Sequence, residues 1–223
     1  MERVRVIYSK SKSAIFLDSK DLVCVFENSL KRAGVQIGYK DGKPDFILAC
    51  PLPVGIESVN EFIDIVISEK LPISFFIKEL NNNLPAGITC LGAEYIEDNA
   101  KSIDMSVVAS VYVINFVYDN DDSIKSMTKK QIEDYKKQNI KKLEEYLNQR
   151  SVIISRKVEN EIKKIDIKNN IKDVNILIDD SLEVTVDTGI RGNVNPNEIM
   201  DGFAEYSGKN MEFNVKRIRI LYR

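Results

Sequence analysis

RVRVIYSKSKSAIFLDSKDLVCVFENSLKRAG, residues 3–34, is the stretch that decides the fold. Val4, Val6 and Tyr8 alternate with Arg3, Arg5 and Ile7, the two-residue period of a strand with one face on a core. A helix follows: Asp18 or Ser19 can cap it, Leu22, Phe26, Leu30 and Ala33 recur at helical spacing, and Gly34 stops it at a position suited to the left-handed region. Moving outward, Gln36–Tyr39 reads as a short strand and Asp41-Gly42-Lys43-Pro44 as a turn. Phe46–Cys50 reads as a buried strand that Pro51-Leu52-Pro53 must end, because proline cannot donate to a ladder. Phe62–Ile67 resumes β structure. Pro72 or Ser74 then opens a second helix carrying Phe75, Phe76, Ile77 and Leu80, broken by Asn81-Asn82-Asn83 and Pro85-Ala86-Gly87. Ile88–Ile96 closes the set. Residues 1–97 thus spell β-α-β-β-α-β, a ferredoxin-like antiparallel sheet with two helices on one face.

The remainder, residues 104–223 beyond a linker at Glu97–Ser102, repeats this grammar. Val107–Tyr118 is a long strand and Asp119-Asn120-Asp121-Asp122 a polar break. Thr128 and Gln131 form a capping box for a helix of about 22 residues, roughly 33 Å long, marked by Ile132, Tyr135, Ile140, Leu143, Tyr146 and Leu147. Strands are expected at Val152–Val158, Ile162–Ile167, Val174–Ile178 and Leu182–Val186, one or two more than a minimal repeat needs. Asn195-Pro196-Asn197-Glu198 starts a helix that Gly208 ends, and Val215–Tyr222 is the last strand. The expected class is α+β, two tandem ferredoxin-like units.

The composition excludes much chemistry. The chain has 223 residues, 32 Lys+Arg against 34 Asp+Glu, three Cys and no His. Without His, the Ser-His and Cys-His nucleophile pairs and the commonest zinc ligand are unavailable. Cys24, Cys50 and Cys90 lie too far apart for a Cys-x-x-Cys or cluster motif. No metal and no cofactor are expected. No stretch reaches the roughly 20 apolar residues that span a bilayer, so a cytoplasmic protein without a membrane partner is expected.

Ile15-Phe16-Leu17-Asp18-Ser19-Lys20-Asp21-Leu22, Leu30-Lys31-Arg32-Ala33-Gly34, Pro51-Leu52-Pro53-Val54-Gly55-Ile56-Glu57-Ser58 and Glu61-Phe62-Ile63-Asp64-Ile65 carry a resemblance that extends through Leu84-Pro85-Ala86-Gly87 and, more weakly, to the Asn195-Pro196 helix and terminal strand. The chain resembles the radical SAM-linked proteins of unknown function, bacterial domains encoded beside or fused to a cobalamin-binding radical S-adenosylmethionine enzyme. The resemblance implies such an enzyme as partner. Relatives carry Ser-His-Leu-Asp where this chain has Asp18-Ser19-Lys20-Asp21, and a longer loop with His where it has only Lys40-Asp41-Gly42-Lys43-Pro44. Asp21 is the family acid that survives.

Several residues are candidates for a ligand or partner surface. Asp21 can cap a helix or act as a polar anchor beside Arg32 and Tyr39; Pro51, Pro53 and Glu57 belong to a turn that can also present an edge to a partner. Lys129, Lys130, Lys136, Lys137 and Lys141 on the long helix either solvate it or track a phosphate backbone. Arg191 lies in Thr188–Asn193, a glycine-containing loop before a capped helix, where an anion can bind. Glu61 and Asp64, three apart in a strand, should point to opposite faces and hold no metal with Glu57. The function expected is a non-catalytic recognition module for a radical SAM enzyme, presenting it with an RNA or protein substrate. The alternatives are a stand-alone RNA-binding or RNA-processing protein resembling tandem ferredoxin-like CRISPR proteins, and a small-molecule enzyme using Asp21, Tyr39 and Arg32.

Overall fold

The computed structural model describes residues 1–97, 99–118, 124–159, 161–209 and 211–223, with only the backbone of Ile190. The protein is a mixed α+β fold whose chain divides into two compact units, Met1–Val108 with Arg217–Arg223, and Ala109–Lys216.

In the first unit β1 (Glu2–Lys10) leads through a short 3-10 turn at Lys12–Phe16 into α1 (Ser19–Arg32). The α1 start is a capping box: Asp18 accepts from the Lys20 and Asp21 amides, and Asp21 accepts from the Asp18 amide. Its end is Gly34, at φ +74. A small hairpin of β2 (Tyr39–Lys40) and β3 (Lys43–Pro44) precedes β4 (Phe46–Leu48), β5 (Glu57–Ile67), α2 (Ile73–Asn83) and β6 (Ile88–Ile96). The strands run in the order β6-β1-β5, with β4 on β5, and all these pairs are antiparallel. α3 (Ile103–Ser106) follows, and the end of the last strand, β12 (Glu212–Tyr222), lies beside β5.

The two-residue period sorts side chains as expected, and Val4, Val6, Tyr8, Ile63, Ile65 and Ile67 pack with Leu22, Phe26 and Leu30 of α1 and Phe76 and Leu80 of α2. Each fully buried Phe or Leu contributes about 1.5–3 kcal/mol. The opposite face is covered as well. Phe62 packs there with Ala49, Cys50, Ile103, Val107 and Ile220, so β5 is buried on both sides. Asn81-Asn82-Asn83 does not break α2. Asn81 exchanges hydrogen bonds with the Cys90 backbone, 2.9 Å as donor and 2.8 Å as acceptor, and Asn83 donates to Glu79 O. The tertiary pair with Cys90 and the local bond to Glu79 override the intrinsic preference.

The second unit contains β7 (Val107–Val117) from Ala109 onward, α4 (Lys129–Leu147), β8 (Ile153–Val158), β9 (Glu161–Asp166), β10 (Ile171–Ile176), β11 (Leu182–Asp187), α5 (Pro196–Ser207) and the start of β12. The strand order is β10-β11-β7, with β12 flanking β7. β8 and β9 pair only with each other among the described residues and account for the surplus strands. The Thr128–Gln131 capping box forms, and α4 is 19 residues long, slightly shorter than expected. Asn195 caps α5 with proline in its first turn, and Gly208 ends it at φ +67. The Asp119–Asp122 break lies outside the described residues. No described helix is long and apolar enough to cross a membrane.

Candidate functional site

Three of the stretches quoted above, those containing Ile15, Gly55 and Gly87, meet around one loop, residues 11–18, between β1 and α1. The Ser11 amide donates to Gly87 O at 2.8 Å, and the Gly55 amide donates to Ile15 O at 2.9 Å. Lys10 Nζ donates to Leu17 O at 2.7 Å from beneath the loop. Gly87 is needed for this closure: at φ +93, a Cβ there would lie 2.3 Å from Ser11 O. On the outside the arrangement displays Phe16, 67% exposed, and Val54, 51% exposed. Pro51 is exposed beside them in sequence, Pro53 is half-buried, and Leu52 and Ile56 anchor the turn in the interior.

Under this surface lies a buried charged cluster. Lys10 continues the β1 alternation onto the core face and is fully buried, as is Arg217 of β12. Arg217 grips Glu61 in bidentate fashion through one guanidinium edge, Nε to Oε1 at 2.7 Å and Nη2 to Oε2. It also donates to Cys50 Sγ at 3.2 Å, while its own carbonyl accepts from Ser58 Oγ at 3.1 Å. Two buried cations therefore face one buried carboxylate, with the field of Asp18 and Asp21 added from the loop. Burial pushes the Tyr8 hydroxyl well above its ordinary value, with Glu61 adding to the effect. Burial lowers the Lys10 ammonium, with Glu61 opposing it.

The Lys10 shift has a testable sign. The folded protein holds this proton less tightly than the unfolded chain, so the cost of the buried ammonium is present at neutral pH and is relieved as pH rises toward the unfolded value of 10.5. Urea unfolding of the wild type and Lys10→Met between pH 7 and pH 10 should show the wild type gaining stability relative to the variant. A constant difference across the range would contradict this.

The second buried ion pair lies on the other face of the sheet. Arg5 binds Asp64 in bidentate fashion, at 2.7 and 3.0 Å, and Asp64 also accepts from the Ile103 amide at 3.0 Å. This hydrogen bond to Asp64 raises the Arg5 pKa. Glu61 and Asp64 therefore face opposite sides, and no described residues form a cluster of His, Cys, Asp or Glu able to hold a metal.

The structure does not bring Asp21, Arg32 and Tyr39 together. Asp21 is in the first turn of α1 and Arg32 is its last residue, roughly 16 Å away along the axis. Arg32 donates to Asn83 O at 2.6 Å, tying the ends of α1 and α2. Tyr39 donates to Glu27 at 2.7 Å and forms one wall of an open cleft of about 430 Å³ with Lys31, Gln36 and Ser68. Glu57 is half-buried at the start of β5.

The five lysines of α4 are exposed, yet they do not share one face. At about 100° per residue, Lys130, Lys137 and Lys141 form one stripe, while Lys129 and Lys136 lie roughly 80–140° away from it. Lys136 Nζ sits 5.1 Å from the ring centroid of Tyr118. Arg191 is exposed in a short 3-10 turn, but Asp187, just before that loop, is a buried carboxylate paired with Lys172 at 2.8 Å.

Sequence reasoning missed Lys10, Arg217 and Glu61 as a unit. The available signal was a charge at the core-facing phase of each strand: Lys10 after Tyr8, Glu61 before Ile63, and Arg217 two residues after Val215.

No curated protein matches the chain. At 9% identity, 97% of it aligns with 98% of a crystal structure provisionally assigned as a glycine cleavage system transcriptional repressor, with a TM-score of 0.27, too low to argue from. The family evidence is of a different order, because one pattern runs from β1 to the start of α5 and takes in every segment that meets at the 11–18 loop. Matching that pattern over residues 3–196, the chain belongs to the family described as an uncharacterized protein conserved in bacteria, DUF2344.

Proposed function

We propose that this chain is a tandem of two ferredoxin-like units acting as a non-catalytic recognition module for a radical SAM enzyme, which docks on the Phe16–Val54 surface and receives a macromolecular substrate. The observation that carries the reading is the convergence at the 11–18 loop. Three stretches far apart in sequence are fastened there by backbone hydrogen bonds, and the result displays apolar side chains instead of burying them. Docking on such a preformed surface costs little ordering. In each unit the strands follow the split β-α-β order, which supports the tandem reading, with β8–β9 as an insertion. The charged groups beneath the surface hold one another, which suits a framework better than a substrate site. Asp21 and Arg32 at opposite ends of α1 support this reading over the small-molecule alternative.

The test is binding to a cobalamin-binding radical SAM enzyme from the same organism. Wild type should form a complex, and Phe16→Asp with Val54→Asp should weaken it at least about 30-fold, since a central hot spot contributes about 2 kcal/mol or more. Thermal unfolding should hardly change, because both side chains are exposed. Equal binding by wild type and variant, or no complex at all, would overturn the proposal.

A further inference from the structure

We infer that the second unit binds single-stranded nucleic acid along a tyrosine and lysine strip formed by the end of β7, α4 and the end of α5. This rests on the reading of the protein as a substrate-presenting module and names the class of substrate. Rings from all three elements form a continuous chain: Tyr135 to Tyr118 at 6.0 Å, Tyr118 to Phe116 at 6.3 Å, Phe116 to Phe203 at 5.8 Å and Phe203 to Tyr206 at 6.5 Å. The chain is wet at its ends. Tyr118 and Tyr135 are half-buried and Tyr206 is 47% exposed. Ammonium groups sit on this strip as well, Lys136 Nζ at 5.1 Å from the Tyr118 centroid and Lys209 Nζ at 5.0 Å from that of Tyr135.

Aromatic faces interleaved with lysines suit an unpaired strand. A base displaces the ammonium from the ring and stacks in its place, and the released ammonium meets the adjoining phosphate. Every base has a π-face, so this surface selects single strands over duplexes without reading sequence. Two acids of α5 are neutralised, since Glu205 is held by Lys164 at 2.6 Å and Glu198 by Arg156 at 2.6 Å. The strip also separates the α4 lysines into two groups. Lys136 belongs to it, whereas Lys130, Lys137 and Lys141 lie on the other stripe and should take no part.

The experiment uses the full-length protein with fluorescent 12-mer oligouridine and oligothymidine across a salt series. Binding should fall with salt, and Lys136→Gln with Lys209→Gln should flatten the slope by about 1.4, at roughly 0.7 per phosphate contact. Lys130→Gln, Lys137→Gln and Lys141→Gln together should leave the slope unchanged. Tyr206→Ala should weaken binding roughly tenfold, while Tyr135→Phe, which keeps the ring and the fold, should not. The two probes separate the sources: preference for oligouridine assigns RNA, and equal binding assigns single strands of either sugar. Absence of binding to both probes at low salt, or a slope flattened by the triple variant and not by the pair, would overturn the inference. Because the enzyme-docking test reads a different surface, a retained enzyme complex alongside absent oligonucleotide binding would sink this inference alone.

Discussion

Glu61→Leu should destabilise the protein by about 3–5 kcal/mol, the cost of stranding a buried charge by removing its partner. Here it affects two cations, because Lys10 and Arg217 are both fully buried, Arg217 is paired with Glu61, and Lys10 is held charged in part by the field of Glu61. Arg217→Met should cost less. It leaves Glu61 with Lys10, whose attraction to Glu61 already counteracts its burial penalty. The double variant Glu61→Leu with Arg217→Met should recover part of the loss, since well-packed apolar replacements of a buried pair are often neutral. Urea unfolding of the two single variants and the double variant measures all three. Single-variant losses below about 1 kcal/mol, or strictly additive losses, would show that the pair does not lock the end of β12 into the first unit.

That lock explains which parts of the fold could be read from the sequence. Elements governed by local rules were legible: the Asp18 and Thr128 capping boxes, the Asn195-Pro196 start of α5, and Gly34 and Gly208 as helix ends all depend on residues within four positions of one another. The α+β class followed from the same periodicities. What needed long-range pairing was not legible. Asn81-Asn82-Asn83 reads as a breaker until the Cys90 backbone arrives to occupy Asn81, and Phe46–Cys50 shortens to Phe46–Leu48 because Ala49 and Cys50 pack with Phe62, Ile103 and Ile220. Glu61 and Arg217 are 156 positions apart. Neither residue announces its partner, and a charge inside an apolar strand looks like a surface position until the opposite charge is found. Likewise the five lysines of α4 read as one basic face, and only helical geometry with the Tyr118 and Tyr135 rings divides them.

The resemblance-bearing stretches are the hardest case, because their meeting point depends on glycine positions with different physical demands, and this permits a sharp comparison. Gly87 and Gly55 both have positive φ, +93 and +88. A Cβ on Gly87 would stand 2.3 Å from Ser11 O and 3.0 Å from the Ala14 Cβ, whereas a Cβ on Gly55 would meet nothing within 4 Å. Gly55→Ala therefore carries only the conformational cost, about 1 kcal/mol. Gly87→Ala carries that cost plus a clash with backbone that cannot rotate away, so the loop at 11–14 must move and lose the Ser11 to Gly87 hydrogen bond. The expected loss is about 3 kcal/mol or more, among the largest a single methyl can cause. Because the displaced loop carries Phe16, Gly87→Ala should also weaken enzyme docking at temperatures where the variant is still folded, while Gly55→Ala should not. Urea unfolding and the docking assay on both variants decide the matter. Equal stability losses at the two glycines would mean that the approach of Ser11 to Gly87 is looser than 2.3 Å implies, and that φ alone accounts for both.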